Sequence, residues 1–437
     1  MRRARAAAWV GAGVLGLAAA AAAPSAAQPA PAPAPTYRIA DGARQIEGRP
    51  SSDGAPLMEA GSVYRDATGP GERVYRLVLD DASSMYVSAV LLPPAGAKVG
   101  ASDGLEVQVM TTQGRACPGN PGRVSFGYDA VPISAIGVRR LEEDTDCQQG
   151  GVYYAKVTRT AAKTSDQAIW PLELRVQREP GLAAGSAPTT APGSWPSASP
   201  TLPGTESVPR SGGTGFNDAR ALGGGVWRDE LRPGQTRFYR VPLDWGQQLA
   251  FGAELSAARR TKEYGSASGG LAVSLYTPYR GLVQSADAPY DGKQAGVALR
   301  RTPPVAYENR YASDSAVRPV RVAGWYYVAV TMGGKVAEFT EDAVPVPLTL
   351  RVGVLGSPAK GPGYREDLAA GGFGVGGEDR AAAKDGLTAV EAADAAGNRS
   401  AMRVVAGAGF TTGILLLLVL GGWILLARRG GPGPGAR

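Results

Sequence analysis

Apolar and polar residues alternate in short tracts along residues 37–355: VYRLVLD (74–80), LEVQV (105–109), LELRV (172–176), FYRVPLD (238–244), LAVSL (271–275) and LTLRV (348–352). A period of two over five to seven residues predicts strands with one face buried. Gly, Pro, Asn and Asp cluster between the tracts, and Pro70-Gly71 and Pro233-Gly234 read as tight turns between strands. No stretch of 37–355 carries a long helical period. The expected fold class is all-β, two antiparallel β-sandwiches in series.

The tracts recur in order. GSVYRD (61–66) lies over GGVWRD (224–229), Pro70-Gly71 over Pro233-Gly234, and VYRLVLD over FYRVPLD. Met85, Val87, Ala89 and Leu91 fall on Leu249, Phe251, Ala253 and Leu255. GLEVQVMT (104–111) then matches GLAVSLYT (270–277), GVYYAKVT (151–158) matches GWYYVAVT (324–331), and WPLELRV (170–176) matches VPLTLRV (346–352). Six blocks with drifting offsets point to duplication with loop insertions, giving repeats at 37–180 and 212–355. In Tyr153-Tyr154 and Tyr326-Tyr327, one ring of each pair should face the core and the other outward. The 181–211 stretch is dense in Pro, Ser, Thr, Gly and Ala and reads as a disordered linker, which leaves open whether the sandwiches pack or swing. Residues 356–403, poor in large apolar side chains, read mainly as a juxtamembrane stalk, with a frayed helix around 378–396.

The pattern changes at both ends. Arg2, Arg3 and Arg5 precede an uncharged Ala-rich run to Ala23, and Ser25-Ala26-Ala27 supplies small residues for cleavage, so 1–27 reads as a signal peptide. A Pro/Ala-rich segment, 28–36, follows. Residues 404–427 are uncharged and lack a polar face; a helix of that length spans about 36 Å, enough to cross a bilayer. Arg428 and Arg429 beyond it fit a cytoplasmic tail at 428–437. The expectation is a single-pass cell-membrane protein with its domains extracellular.

This topology reinterprets the charge. Six arginines (2, 3, 5, 428, 429, 437) of the 46 basic residues lie in the leader and tail, leaving 40 against 39 acids. The exported part is nearly neutral, and nucleic acid is excluded as a partner. Cys117 and Cys147 are the only cysteines and both would be exported, which predicts one disulfide closing a loop of about 30 residues, worth roughly 3 kcal/mol. No His occurs in 437 residues, which removes Ser-His-Asp and Cys-His catalysis and His-containing zinc sites. No Gly-rich phosphate loop or Ser-x-x-Lys constellation stands in a suitable context, and the chain is expected not to be an enzyme.

Candidate binding chemistry is sparse, and no cofactor is expected apart from calcium. Asp66 and Asp229 occupy matching positions, as do Asp80 and Asp244. At strand ends such residues cap backbone, or ligate calcium. The acidic run Glu142, Glu143, Asp144, Asp146 beside Cys147 is a solvated loop or a cation-binding one. Repeat two is rich in Tyr outside its strands, and Tyr279, Arg280, Tyr290, Tyr307, Arg310 and Tyr311 form a candidate binding surface, with Tyr264 also in a loop.

The order of a Pro-Gly turn, a Tyr-rich strand, a Gly-Gln turn, an apolar strand, Leu-x-Val and Gly-x-Tyr-Tyr-x-x-Val resembles the bacterial pre-peptidase C-terminal domain. In repeat two the residues are Tyr239, Gly246, Gln247, Leu249, Leu271, Val273, Leu275, Gly324, Tyr326, Tyr327 and Val330. Repeat one departs from it at Ala82-Ser83, which replaces Gly-Gln, and no peptidase domain is attached. The resemblance implies a jelly-roll-like sandwich acting as a non-catalytic appendage of secreted proteins. The expected function is cell-envelope adhesion or interaction, with a wall polymer or envelope protein as partner. An accessory subunit of a membrane protease or secretion complex is the alternative, and an enzyme of unrecognised type is the third.

Overall fold

The computed structural model describes residues 36–119, 122–127, 129–141, 146–184, 193–198, 206–341, 344–398, 417–421 and 423–425. The signal segment 1–27, residues 28–35, most of 404–427 and the tail 428–437 lie outside the described residues. Residues 417–421 and 423–425 are helical, and among the described residues no helix is long and apolar enough to cross a membrane.

The first ten strands are β1 (Arg44–Gln45), β2 (Leu57–Met58), β3 (Val63–Thr68), β4 (Gly71–Leu79), β5 (Ser83–Leu91), β6 (Gly104–Thr111), β7 (Gly122–Ser125), β8 (Ile133–Arg139), β9 (Gly151–Thr160) and β10 (Trp170–Pro180). They form two five-stranded sheets, β1-β3-β10-β5-β8 and β2-β4-β9-β6-β7. The next ten are β11 (Ser207–Pro209), β12 (Arg220–Ala221), β13 (Gly225–Leu231), β14 (Thr236–Leu243), β15 (Gln248–Leu255), β16 (Ala267–Tyr276), β17 (Leu282–Tyr290), β18 (Ala295–Ala298), β19 (Gly324–Met332) and β20 (Val346–Leu355). Their sheets are β11-β13-β20-β15-β18 and β12-β14-β19-β16-β17, so each strand has a counterpart ten places later. Pairing is antiparallel except at the short edge strands β1, β2, β11 and β12, which run parallel to their neighbours.

Each sandwich buries the apolar positions of its alternating tracts. Leu172, Leu174 and Val176 of β10 meet Val107 and Val109 of β6 in the first core; Leu348, Leu350 and Val352 take the matching places in the second. Each such side chain contributes about 1.5–3 kcal/mol by leaving water. Tyr153 and Tyr326 face their cores, as the pleat requires. Tyr327 faces the other way and is buried as well.

That second burial departs from the half-exposed strands expected. β5 is buried at every position from Ser83 to Leu91. Met85, Val87, Ala89 and Leu91 fill the first core, while Tyr86 and Val90 pack on the second sandwich. The outer face of β5, β8 and β10 lies against the outer face of β14, β16 and β19, where Val90 meets Phe238, Tyr276 and Tyr327. The sandwiches are thus packed together, not swinging on the linker.

The ends of the linker are tied down too. Ala183 N–H donates to Gly363 O at 2.8 Å, Arg365 N–H to Gly181 O at 2.9 Å, and Ser207–Pro209 forms β11. The reading of 356–403 as a stalk is corrected for residues 356–398. Tyr364 and Leu368 pack on the second core, Phe373 is buried at the junction, and α1 (Gly377–Asp385) buries Ala382 and Ala383. Arg380 pairs with Asp244 at 2.5 Å, and Arg220 with Glu391 in the helical stretch 389–398 at 2.7 Å. A segment laid into an already folded surface needs only a few apolar anchors, so its low hydrophobicity did not reveal the packing.

Cys117 and Cys147 are bonded, with their Cα atoms 5.6 Å apart. Beside them the fully buried Arg139 donates to the carbonyls of Cys147 (2.8 Å), Gln148 (3.0 Å), Gln149 (3.1 Å), Asp80 (2.6 Å) and Ser83 (2.5 Å), fixing the turn into β9. Of the acidic run, Glu142 to Asp144 lie outside the described residues, and Asp146 is 3.6 Å from Arg115 at the surface.

Candidate functional site

β10 sends two carboxylates out of the first sandwich into the junction. Glu173, fully buried, accepts from Arg280, from Asn217 Nδ2 at 2.7 Å, from the Ala40 N–H at 2.9 Å and from the Tyr37 hydroxyl at 3.2 Å. Glu179, six residues on, accepts from Arg310 Nη2 and the Tyr364 hydroxyl, both at 3.0 Å, and from the Tyr86 hydroxyl. Buried carboxylates persist only when their lone pairs are satisfied in this way.

The arginines come from loops of the second sandwich. Arg280 closes the turn after β16, donating its N–H to Thr277 O at 2.9 Å, and holds φ at +65°. That left-handed conformation is strained for a side chain with a Cβ, and it occurs where the guanidinium is aimed at Glu173. Burial alone would lower the Arg280 pKa. The Glu173 carboxylate, with Tyr37 and Tyr327, outweighs it, and the group is held above its ordinary value. Arg310 behaves alike, burial opposing and Glu179 prevailing. Tyr279 stacks on Tyr86 with centroids 4.2 Å apart and planes 9° from parallel.

Four of the six expected surface residues therefore come together. Tyr279, Arg280 and Arg310 gather at the junction, buried against the first sandwich of the same chain, and Tyr307 packs in the second core beneath Arg310. Tyr290 sits in the second core, donating to Ser256 O at 2.6 Å, and Tyr311 is 39% exposed. Tyr264 is exposed in a loop. Sequence reading missed Glu173, Glu179 and Tyr86, because an outward-facing residue in a strand looks the same whether its face meets water or another domain.

The calcium candidates have structural work. Asp66 Oδ2 accepts from the Tyr75 hydroxyl at 2.6 Å and the Gly48 N–H at 2.8 Å; Asp229 Oδ2 accepts from the Tyr239 hydroxyl at 2.6 Å and the Gly212 N–H at 2.8 Å. The same clamp ties one sheet to the other in both sandwiches. A Cβ on Gly48 or Gly212 would stand 2.7 Å from the Tyr ring, so the approach requires glycine. Asp80 accepts from the Ala82 and Ser83 N–H groups, and Asp244 from Arg380 and its neighbour Trp245 N–H. All four face N–H or O–H donors. Among the described residues no group of three or more acidic, His or Cys side chains is placed to hold a metal ion.

Among the described residues several clefts open around the junction, three of them larger than the one of about 140 Å³ beside Glu179 and Arg310. An apolar one of about 500 Å³ has Tyr37, Leu92, Pro132, Ile169 and Trp170 on its walls, with Gln235 from the second sandwich. A polar one of about 540 Å³ lies between Arg38, Asp41, Asp218, Arg220 and Glu391. The third, about 340 Å³, is lined by arginines.

Burial pushes the hydroxyls of Tyr37, Tyr86 and Tyr279 above their ordinary pKa, and Tyr307 up to about 12. In the unfolded chain these ionise near pH 10, so above that pH the unfolded state releases protons that the folded state retains. Their contribution is full below about pH 10 and is lost as pH rises past it. With no His in the chain, the melting temperature is expected to be flat from about pH 6 to 9 and to fall steeply above about pH 10. A decline already under way at about pH 8 would contradict this.

No protein-family model matches the sequence, and no curated protein does. Among solved structures, the pre-peptidase C-terminal domain of collagenase from Bacillus anthracis matches at 15% identity over 28% of this chain and 94% of that one, with a TM-score of 0.18. The CBM22-1-CBM22-2 tandem domain of Xyn10C from Paenibacillus barcinonensis matches at 14% identity over 68% and 92%, TM-score 0.18. The tandem CBM51 modules of a family 98 glycoside hydrolase from Streptococcus pneumoniae match at 9% identity over 67% and 83%, TM-score 0.19. At TM-scores of this size none of these matches bears on family, ligand or activity.

Proposed function

We propose that the protein is a non-enzymatic interaction protein of the cell envelope. Two tandem sandwiches of the pre-peptidase C-terminal kind would be exported by the 1–27 leader and held by a single helix at 404–427. They would present one rigid head to a wall polymer or an envelope protein. The observation that carries this reading is the buried Glu173–Arg280 and Glu179–Arg310 junction. It fixes the sandwiches relative to each other, so clefts lined by both are formed before any ligand arrives. Preformed clefts bind without an ordering cost. The anchor is supported by bare apolar side chains at Leu417, Leu418, Trp423 and Leu425.

The test is a pull-down with residues 28–402 against isolated envelope fractions. Retention on wall polymer, or on an envelope protein outside the membrane, is the expected result. Retention of one fixed membrane protein alone would move the reading to an accessory subunit. No retention on any fraction would remove its support.

A further inference from the structure

The third cleft has a charge imbalance that the junction pairs do not. Its lining includes Arg123 and Arg140 from the first sandwich and Arg318 and Arg321 from the second, and no Asp or Glu among the described residues. Arg140 has partners of its own. The other three make no ion pair among the described residues. Arg318 donates to the carbonyls of Ala312 (2.9 Å) and Ser313 (3.3 Å), Arg123 reaches Ser102 O at 3.5 Å, and Arg321 donates to the Tyr86 hydroxyl at 3.3 Å. Arg321 is 3% exposed, and its Nε has no hydrogen-bond partner among the described residues. The nearby carboxylate, Glu179, is engaged by Arg310. Glu179 and the rings of Tyr86 and Tyr279 favour the Arg321 charge, and an oxyanion in the cleft would use the donor that its Nε leaves open. Arg forks suit such groups because they donate to two oxygens at once.

We propose that this cleft binds an oxyanion, a phosphate or carboxylate group, between Arg123 and Arg318 and above Arg321. The site stands on this geometry; only the source of the anion, a wall polymer, rests on the envelope-binding reading, free phosphate being the other source. Within the chain the competing anions are Glu142, Glu143 and Asp144, which follow Arg140 and lie outside the described residues.

Titration calorimetry on the full chain in mild detergent at low salt tests this, with inorganic phosphate in one arm and poly(glycerol phosphate) in the other. The wild type is expected to bind at least one probe. Arg123→Gln, at an exposed position with a single long backbone contact, is expected to weaken binding about tenfold, the loss of one charge-assisted contact. Arg318→Gln should do the same, and Arg380→Gln, on α1 beside β12 and β14 and outside the cleft lining, should change nothing. Preference for the polymer assigns the anion to the wall; equal or better binding of phosphate assigns it to a free ion. No binding of either probe, or equal binding by R123Q, overturns the site. So does binding that appears only in E142Q/E143Q/D144N, which would mean the chain's own acids fill the cleft. Envelope retention by a chain that binds neither probe overturns the site and leaves the envelope reading standing; probe binding without envelope retention does the reverse.

Discussion

Glu173→Gln is expected to destabilise the protein by about 3–5 kcal/mol, because it leaves Arg280 charged, 1% exposed and without a carboxylate. The amide keeps the shape and can still accept from Asn217 and the Ala40 N–H, so the loss reports the charge and not a cavity. The double variant E173L/R280M removes both charges and is expected to recover most of the loss, as replaced buried pairs commonly do. Calorimetry supplies a second readout. The wild type should unfold in one transition, since the junction couples the sandwiches, whereas E173Q should split it in two. A change below about 1 kcal/mol with a single transition retained would mean that the junction does not hold the head together.

Removing the disulfide is the other large perturbation. C117S/C147S is expected to lower stability by about 2–5 kcal/mol, since the bond closes a loop of 30 residues in the denatured chain. The effect should fall on the first sandwich. Arg139, with its five carbonyl acceptors, keeps the 147–149 turn in place in the folded state, so the native structure should survive the substitution. Urea unfolding with and without reductant measures this in the wild type. Identical midpoints would show that the bond constrains nothing that folding must order.

The strands and the cysteine pair were legible because they depend on local pattern. VYRLVLD and FYRVPLD announce strands through a period of two, and the only two cysteines, both in the segment expected outside, have one pairing open to them. The Asp66 and Asp229 positions were legible as a repeat, but not as clamps: the acceptor role depends on Tyr75 and Tyr239 arriving from the opposite sheet. The junction was hidden for a different reason. Glu173 and Arg175 sit at the polar positions of LELRV, and the alternation that places them on the outer face says nothing about what lies beyond it. The Tyr and Arg of the second repeat did signal a contact surface. What their composition could not supply was the identity of the other side.

The geometry of the junction has an evolutionary consequence. The first unit uses its β1-β3-β10-β5-β8 sheet and the second uses the opposite sheet, β12-β14-β19-β16-β17. Between equivalent units this is a head-to-tail contact, which repeats into an open array unless its rotation closes a ring. Propagation requires the second unit to offer acids where the first does. In the matching register Glu173 becomes Thr349 and Glu179 becomes Leu355. A third unit presenting the same arginines would find no counter-charge there, and its guanidiniums would be desolvated unpaired. Two substitutions thus close the array at two members and keep neighbouring molecules from extending it into a fibre.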